Sequence, residues 1–273
     1  MIDFITGEKF TTITDLIYAP QKSIDCNPLI NTFCLSGLKE INIVYTHTLY
    51  VKELFKKIKN LKFKFIIVTH NCDENVDDSF SVPDNVIKWF SQNVNVVNDK
   101  IESVPIGLEN DKWYPTLRKK EKMEKLLTQS KGCRNWVYMN HNIKTNPKER
   151  QHLYDLFKDE IWVTAENGTN GNGFDRYMDN IYNHRFVICP RGNGIDTHRF
   201  WECLYMNSVP IVKKDINNWF YNDLPVLYVN NWEELNEELL IDMWDIYKDG
   251  KYDKKKLTFE YWKNKIYNAK VHE

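Results

Sequence analysis

Residues 186–212 read FVICPRGNGIDTHRFWECLYMNSVPIV. The opening run FVIC has the length and unbroken apolar character of a strand buried on both faces. It leads into a loop holding Gly192 and Gly194, and the loop opens into a helix expected to begin near Thr197. Asp196 stands where an N-cap belongs, its side-chain oxygen able to accept from the first free backbone amides. A second apolar run, VPIV at 209–212, follows the helix. Strand, glycine loop, helix and strand in succession form the repeating unit of an α/β fold.

The same alternation extends in both directions. Downstream and upstream of the block, 136–140, 161–165, 185–190, 209–212 and 226–229 read as strands, with helices over 147–158, 174–183, 197–206 and briefly near Trp219. Pro147 suits a first helical position, with Thr145 or Asn146 before it as cap. In the first half, 41–46, 63–69, 94–97 and 104–106 read as strands, and 49–58 and 84–92 as helices, the latter carrying Ile87, Trp89 and Phe90. Residues 115–133 include the charged run RKKEKMEKLL and a turn-like SKG. A domain boundary is expected here, dividing the chain into 1–130 and 131–273, with two amphipathic helices (233–247 and 257–269) closing the second part. Two consecutive α/β halves imply a cleft between them, a preferred place for ligands.

Composition narrows the function. Apolar residues make up 42% of the 273, enough for real cores. Lys plus Arg total 37 against 38 Asp plus Glu, so no global field favours nucleic acid or an anionic membrane as partner. The N-terminus lacks a basic segment followed by an apolar run, and no apolar stretch approaches the roughly 20 residues that span a bilayer. The six cysteines contain no C-x-x-C pair, which argues against structural zinc and fits reduced thiols. A cytoplasmic protein without stable membrane insertion is expected.

The central block can carry chemistry. Gly192 and Gly194 let backbone approach a ligand closely, with Asn193 between them, and the helix N-terminus at Thr197 offers amides and partial positive charge to a phosphate. Arg191 and Arg199 add forked, permanently charged donors suited to a diphosphate. An ionised Asp196 would oppose a phosphate at the same amides, so it either turns inward as a cap or serves another ligand. Glu202, four residues after His198 on one helix face, could accept from two vicinal hydroxyls such as those of a ribose. The bland alternative is a tight β-to-α turn with a solvated Glu202; clustering of so many polar groups at a strand end favours a site. The dinucleotide fingerprint does not fit, because a third glycine is missing where Thr197 stands. Asp215 lies near the distance of a ribose-binding acid, which keeps a nicotinamide-dependent oxidoreductase as a rival.

The block 189–212, supported by VYMNHNIKTNPKER (137–150), VTHNCDENV (68–76) and VPIGLEN (104–110), resembles the exostosin-type glycosyltransferases, particularly short forms found in bacteria and large DNA viruses. The resemblance covers roughly residues 65–215. It implies a GT-B architecture of two Rossmann-like α/β/α domains facing a cleft, an acceptor-side domain followed by a donor-binding one. It also implies transfer of a sugar from a nucleotide-sugar donor, typically a UDP-sugar, to a glycan acceptor hydroxyl with inversion. On that likeness Arg191 would face the diphosphate and Glu202 the ribose, with Thr145, Asn146 and Arg150 as further donor contacts. No D-x-D motif occurs in the sequence, so neutralisation of the leaving diphosphate is expected to fall to arginines and helix amides rather than a metal, and no cofactor is expected. A catalytically silent sugar- or nucleotide-binding module on the same fold is the alternative.

An inverting transfer needs a base from the side opposite the donor. The loop THNCDEN (69–75), following a strong buried strand, supplies Asp73 and His70; His47 lies after the earlier strand. Each also has a structural reading, as a turn, cap or satisfied strand-end residue. Trp113 and Tyr114 are the aromatic candidates for acceptor contact, with His47 beside them, whereas Trp136, Trp162 and Trp201 fall in expected core elements. The glycine-rich stretch 168–174 reads as a loop near the donor side.

Overall fold

The computed structural model describes residues 2–20, 29–111, 116–132, 135–167 and 173–271, the side chains at 116 and 117 excepted. Trp113, Tyr114, most of the 168–174 loop, Cys26 and Cys133 lie outside the described residues.

A short helix α1 (Gly7–Thr12) precedes strands β1 (Leu16–Tyr18) and β2 (Ile41–Thr46), helix α2 (Thr48–Ile58), and strands β3 (Lys64–Thr69), β4 (Val86–Ser91) and β5 (Ile101–Ser103). These strands form one all-parallel sheet in the order β1-β2-β3-β4-β5. Helix α3 (Thr116–Leu127) leads to the second half: β6 (Asn135–Asn140), α4 (Pro147–Phe157), β7 (Val163–Glu166), α5 (Phe174–Asn183), β8 (His184–Ile188), α6 (His198–Tyr205), β9 (Val209–Lys213), α7 (Ile216–Trp219), β10 (Leu227–Val229), α8 (Glu237–Lys248) and α9 (Phe259–Asn268). Its sheet is also wholly parallel, in the order β10-β9-β8-β6-β7.

Side-chain alternation along the strands feeds separate cores. In the first sheet Val44, Phe65 and Ile67 pack with Val51, Leu54 and Ile58 of α2. Ile43, Tyr45, Ile66 and Val68 face the other way, into a core that continues through Tyr138 and Trp201 to Trp262 of α9. The remaining face of the second sheet, with Val137, Met139, Phe186 and Ile188, is covered by α4 and α8 through Leu153, Phe157 and Leu240.

Segment 84–92, expected as a helix, is strand β4. Val86 and Trp89 share one core although they are three residues apart. An irregularity in the β3–β4 register, where Phe65 pairs Val86 but Ile66 pairs Lys88, leaves Ile87 as an extra residue. Such a bulge turns a period of two into an apparent period of three. The strands expected at 94–97 and 104–106 are likewise displaced: Val94 makes only a bridge to Val76, the strand lies at 101–103, and 104–106 is a loop.

The carboxyl ends of the two sheets face each other. Asn217 Oδ1 accepts from the Val94 amide and from Ser103 Oγ, both at 3.0 Å, and Ser103 Oγ lies 2.9 Å from the Tyr221 hydroxyl. Two parallel α/β units opposed across a cleft make the fold GT-B-like, as the sequence leads one to expect. Helix α9 returns to the first half, where the Phe259 and Glu260 amides donate to the Asp3 carbonyl and carboxylate at 3.2 and 2.8 Å. No helix among the described residues is long and apolar enough to cross a membrane.

Candidate functional site

In the second sheet the chain moves outward from β6 to β7, then returns to place β8 on the other side of β6. This reversal splays the loops after β6 and β8 apart, and ligands of open α/β sheets bind in the resulting crevice at the strand carboxyl ends. The first sheet, laid down in sequence order, has no such point. A cavity of about 590 Å³ lies at the crevice, lined by residues of the β6 loop (Asn140, Asn142, Lys144), of α4 (Arg150), of α5 (Tyr177), of α6 and the residue before it (Thr197, His198, Arg199, Glu202), and by Lys119 of α3.

Glu202 is 2% exposed, and its two oxygens are held by different elements. Lys119 Nζ donates to Oε1 and the Tyr177 hydroxyl to Oε2, each at 2.5 Å. Burial works to raise the Glu202 pKa, but the Lys119 charge and these hydrogen bonds outweigh it and keep the carboxyl below its ordinary value. Beside it, the Arg199 guanidinium lies 5.6 Å from the centre of the Tyr177 ring. Its Nε is buried with no hydrogen-bond partner among the described residues, and so is Asn140 Oδ1 on the same wall. A cation and a carboxylate thus share one polar cavity, with unused hydrogen-bonding capacity on both walls.

Asp196 and His198 join this wall to the first half. Asp196 is buried and accepts from the Ile106 amide at 2.7 Å, the Thr197 amide at 2.9 Å and Trp201 Nε1 at 3.0 Å. Burial, partly offset by those donors, pushes its pKa up to about 6. It is not the helix cap that the sequence leads one to expect: the cap position falls on Thr197, which makes no side-chain capping bond. His198 Nδ1 lies 2.7 Å from the Gly107 carbonyl and Nε2 3.3 Å from Glu109 Oε2. Burial lowers the His198 pKa, the Glu109 hydrogen bond and charge raise it by more, and the net shift is upward. Glu109 falls to about 2: burial raises its pKa, but His198 lowers it further. Gly107, at φ +66, is the one glycine among the described residues in the left-handed region, and a Cβ there would lie 2.4 Å from the Ile5 carbonyl.

The glycine loop packs against protein. A Cβ on Gly194 would meet the Asn93 amide at 2.8 Å, and one on Gly192 would meet the Arg150 guanidinium at 3.1 Å. Arg150 is buried and spends its donors on the surrounding loops: Nε on the Arg191 carbonyl, one terminal nitrogen on the Asn142 carbonyl and Thr145 Oγ1, the other on the Pro190 carbonyl. Burial, with the nearby Arg199 charge, lowers its pKa to about 10. Asn146 caps α4 in position but directs its amide to Glu149. Arg191 and Asn193 are exposed, and Arg191 does not join Glu202. It lines a separate cavity of about 200 Å³ with Glu149, Lys213, Lys214 and Asp215. Asp215 caps α7 there through a reciprocal bond with Asn218, which accounts for it without a nicotinamide ribose.

The base candidates lie apart from the Glu202 cavity. His70 is 1% exposed and stacks on Phe10 at 4.9 Å. Its Nδ1 accepts from the Asn71 amide and its Nε2 faces the Pro105 carbonyl at 2.9 Å, an arrangement that fixes the neutral tautomer with the proton on Nε2. Burial takes its pKa down to about 4. Asp73 is exposed in the loop after β3, and His47 is buried between Tyr45 and Tyr50 at the start of α2. The sequence reading missed Lys119, Glu109, Tyr177, Asn140 and Lys144. For Lys119 the charged run 118–125 reads as a solvated face, and only its docking against α5 and α6 reveals a lysine turned inward.

No family model matches the chain, and no curated protein matches it. Among solved structures it is similar to UDP-GlcNAc 2-epimerase from Methanocaldococcus jannaschii, at 10% identity and a TM-score of 0.40 over 86% of this chain and 77% of that one. It is also similar to a GtfA/B complex, at 10% identity and a TM-score of 0.34 over 84% of this chain and 56% of that one.

Proposed function

We propose that the protein is a glycosyltransferase that moves a sugar from a nucleotide-sugar donor, a UDP-sugar in the first instance, to a hydroxyl of a glycan acceptor. The observation that carries this reading is the cavity at the β6/β8 reversal, where Glu202 and Arg199 stand side by side. A buried carboxylate suits the vicinal hydroxyls of a ribose, and a guanidinium with a free donor suits the attached diphosphate. The exostosin-type resemblance of residues 189–212 supports the same chemistry.

In this reading Arg199, with Lys144 and the amides at the start of α6, stabilises the charge that develops on the leaving diphosphate without a metal ion. Arg150 holds the two loops that frame it, so Thr145 and Asn146 keep their places. The acceptor oxygen attacks the anomeric carbon as the bond to the diphosphate breaks, and a base from the first half takes the hydroxyl proton. Asp73 is the proposed base; His70 is not, because both its nitrogens are engaged and its pKa is depressed.

Calorimetric titration with UDP, GDP and NAD, each with and without EDTA, tests the assignment. Binding of a nucleoside diphosphate that persists in EDTA and is lost in Glu202→Gln is expected. Binding of NAD alone overturns it. A panel of UDP-sugars assayed for UDP release then separates a transferase from a silent binding module.

A further inference from the structure

We infer that Lys119 makes the cavity selective for nucleotides over nucleosides by exchanging its ion pair with Glu202 for one with the ligand's phosphates. This inference rests on the nucleotide-sugar reading above.

The ammonium and the carboxylate are both withdrawn from solvent, with side-chain exposures of 13% and 2%. The lysine covers Glu202 Oε1, while Tyr177 covers Oε2. A ribose hydroxyl donating to Oε1 from the cavity side competes with Lys119 for that oxygen, while the Tyr177 bond to Oε2 can stay. An ammonium parted from its carboxylate without an equivalent new partner is disfavoured, and Glu109, the other carboxylate that feels the Lys119 charge, is already paired with His198. The same walls carry Arg199 and Lys144, so the displaced cation also meets like charges. A ligand that brings a diphosphate resolves both problems at once: the hydroxyls take the carboxylate, and the phosphates take the lysine. A bare nucleoside resolves only the first. The lysine stem has the freedom for this exchange, having four rotatable carbons and an ammonium that bonds in any direction, unlike the rigid guanidinium fork.

Discrimination by groups left unpaired in the wrong complex is the strong form of specificity. For a charge-assisted contact it amounts to roughly 10- to 100-fold in affinity. Lys119 sits at the end of α3 that leads from the first half, remote in sequence from the glycine loop and outside the resemblance-derived contacts.

The test is calorimetry with uridine and UDP, and with guanosine and GDP, on the wild type, Lys119→Gln and Lys119→Arg. Glutamine keeps a donor to Glu202 but no charge, so the carboxylate is not orphaned. In the wild type the diphosphate is expected to bind far more tightly than its nucleoside. In Lys119→Gln that ratio falls by roughly 10- to 100-fold, with nucleoside affinity unchanged or improved. Lys119→Arg keeps the ratio within about threefold, because the cation remains. A purely structural lysine lowers both affinities together, and an unchanged ratio in Lys119→Gln overturns the inference alone. Failure of the wild type to bind any nucleoside diphosphate overturns the nucleotide-sugar reading and this inference with it. Should Lys119→Gln not fold, Lys119→Ser, which leaves Glu202 and its Tyr177 bond in place with room for water beside the carboxylate, reads the same ratio.

Discussion

Asp196 of the second half and Ile106 of the first are joined by a hydrogen bond of 2.7 Å, the Ile106 amide donating to Asp196 Oδ2. The bond spans the cleft at the foot of the Glu202 helix. It ties the loop after β5 to the start of α6, so the geometry of the candidate site depends on a contact between sheets.

Asp196→Asn places an amide group against the Ile106 or Thr197 donor and leaves that donor unsatisfied. A loss of about 1–3 kcal/mol in unfolding free energy is expected. The pH dependence carries the sign of a raised carboxyl. With its pKa moved from 3.8 to about 6 by burial, the folded state holds the proton longer than the unfolded one, so this group's contribution is greatest below pH 3.8 and is lost as pH rises through about 6. Urea unfolding between pH 4 and 7 should show the wild-type advantage over the variant shrinking across that window.

The Glu109–His198 pair should be strongest between the two ordinary values, 4.5 and 6.5. Glu109, lowered to about 2, contributes above pH 4.5 and loses its contribution as pH falls toward 2. His198, raised, contributes below 6.5 and loses its contribution as pH climbs through its folded value. A double-mutant cycle with Glu109→Gln and His198→Asn is expected to give a coupling of about 0.5–1 kcal/mol near pH 5.5, kept small by solvent screening of the half-exposed pair, that fades on either side. A coupling flat in pH contradicts the ion-pair assignment.

Arg150→Lys removes a fork that serves four acceptors on two loops. One ammonium cannot reach them all, and stability should fall by about 2–4 kcal/mol. Amide hydrogen exchange should quicken at 142–146 and 190–194 together, because the same side chain braces both.

Arg199→Gln is expected to behave in the opposite way. With no ion pair among the described residues to lose, its unfolding free energy should stay within about 1 kcal/mol of wild type. Its affinity for a nucleoside diphosphate should drop by roughly 10- to 100-fold, with the salt dependence of binding reduced but not abolished, since Lys119 and Lys144 remain. Retained affinity would move the diphosphate away from Arg199, with Arg191 in the neighbouring cavity as the next candidate.

Much of the second half is legible in the sequence because its strands are continuous apolar runs broken by polar loops. The helix of Glu202 and the strand before it fall where residues 186–205 suggest. The exceptions have physical causes. The bulge at Ile87 gives β4 a helical spacing, and β1 is only three residues long, too short to show alternation. In the site, sequence spacing identifies Glu202 and Arg199 but joins Arg191 to them, since all lie within twelve positions. The strand-to-helix turn sends Arg191 to the far side of the loop, where Asp215 and Lys213 are its neighbours. Lys119, Glu109 and Tyr177 reach the site from distant elements, and no local pattern announces a contact 83 residues away such as that of Lys119 with Glu202.

The return of α9 to the first half fixes how the two halves can move. A polypeptide that crosses once leaves its two lobes free to swivel on a single tether. Here a second crossing follows α8, with Phe259 edge-on to Phe10 at 5.2 Å and Lys265 paired with Glu102. Two tethers define an axis, so gaping of the lobes is confined to rotation about the line through both. Removing the final helix would free that rotation and expose Phe10 and Tyr221, which pack on Phe259 and Trp262, to water, turning a one-dimensional jaw into a loose joint.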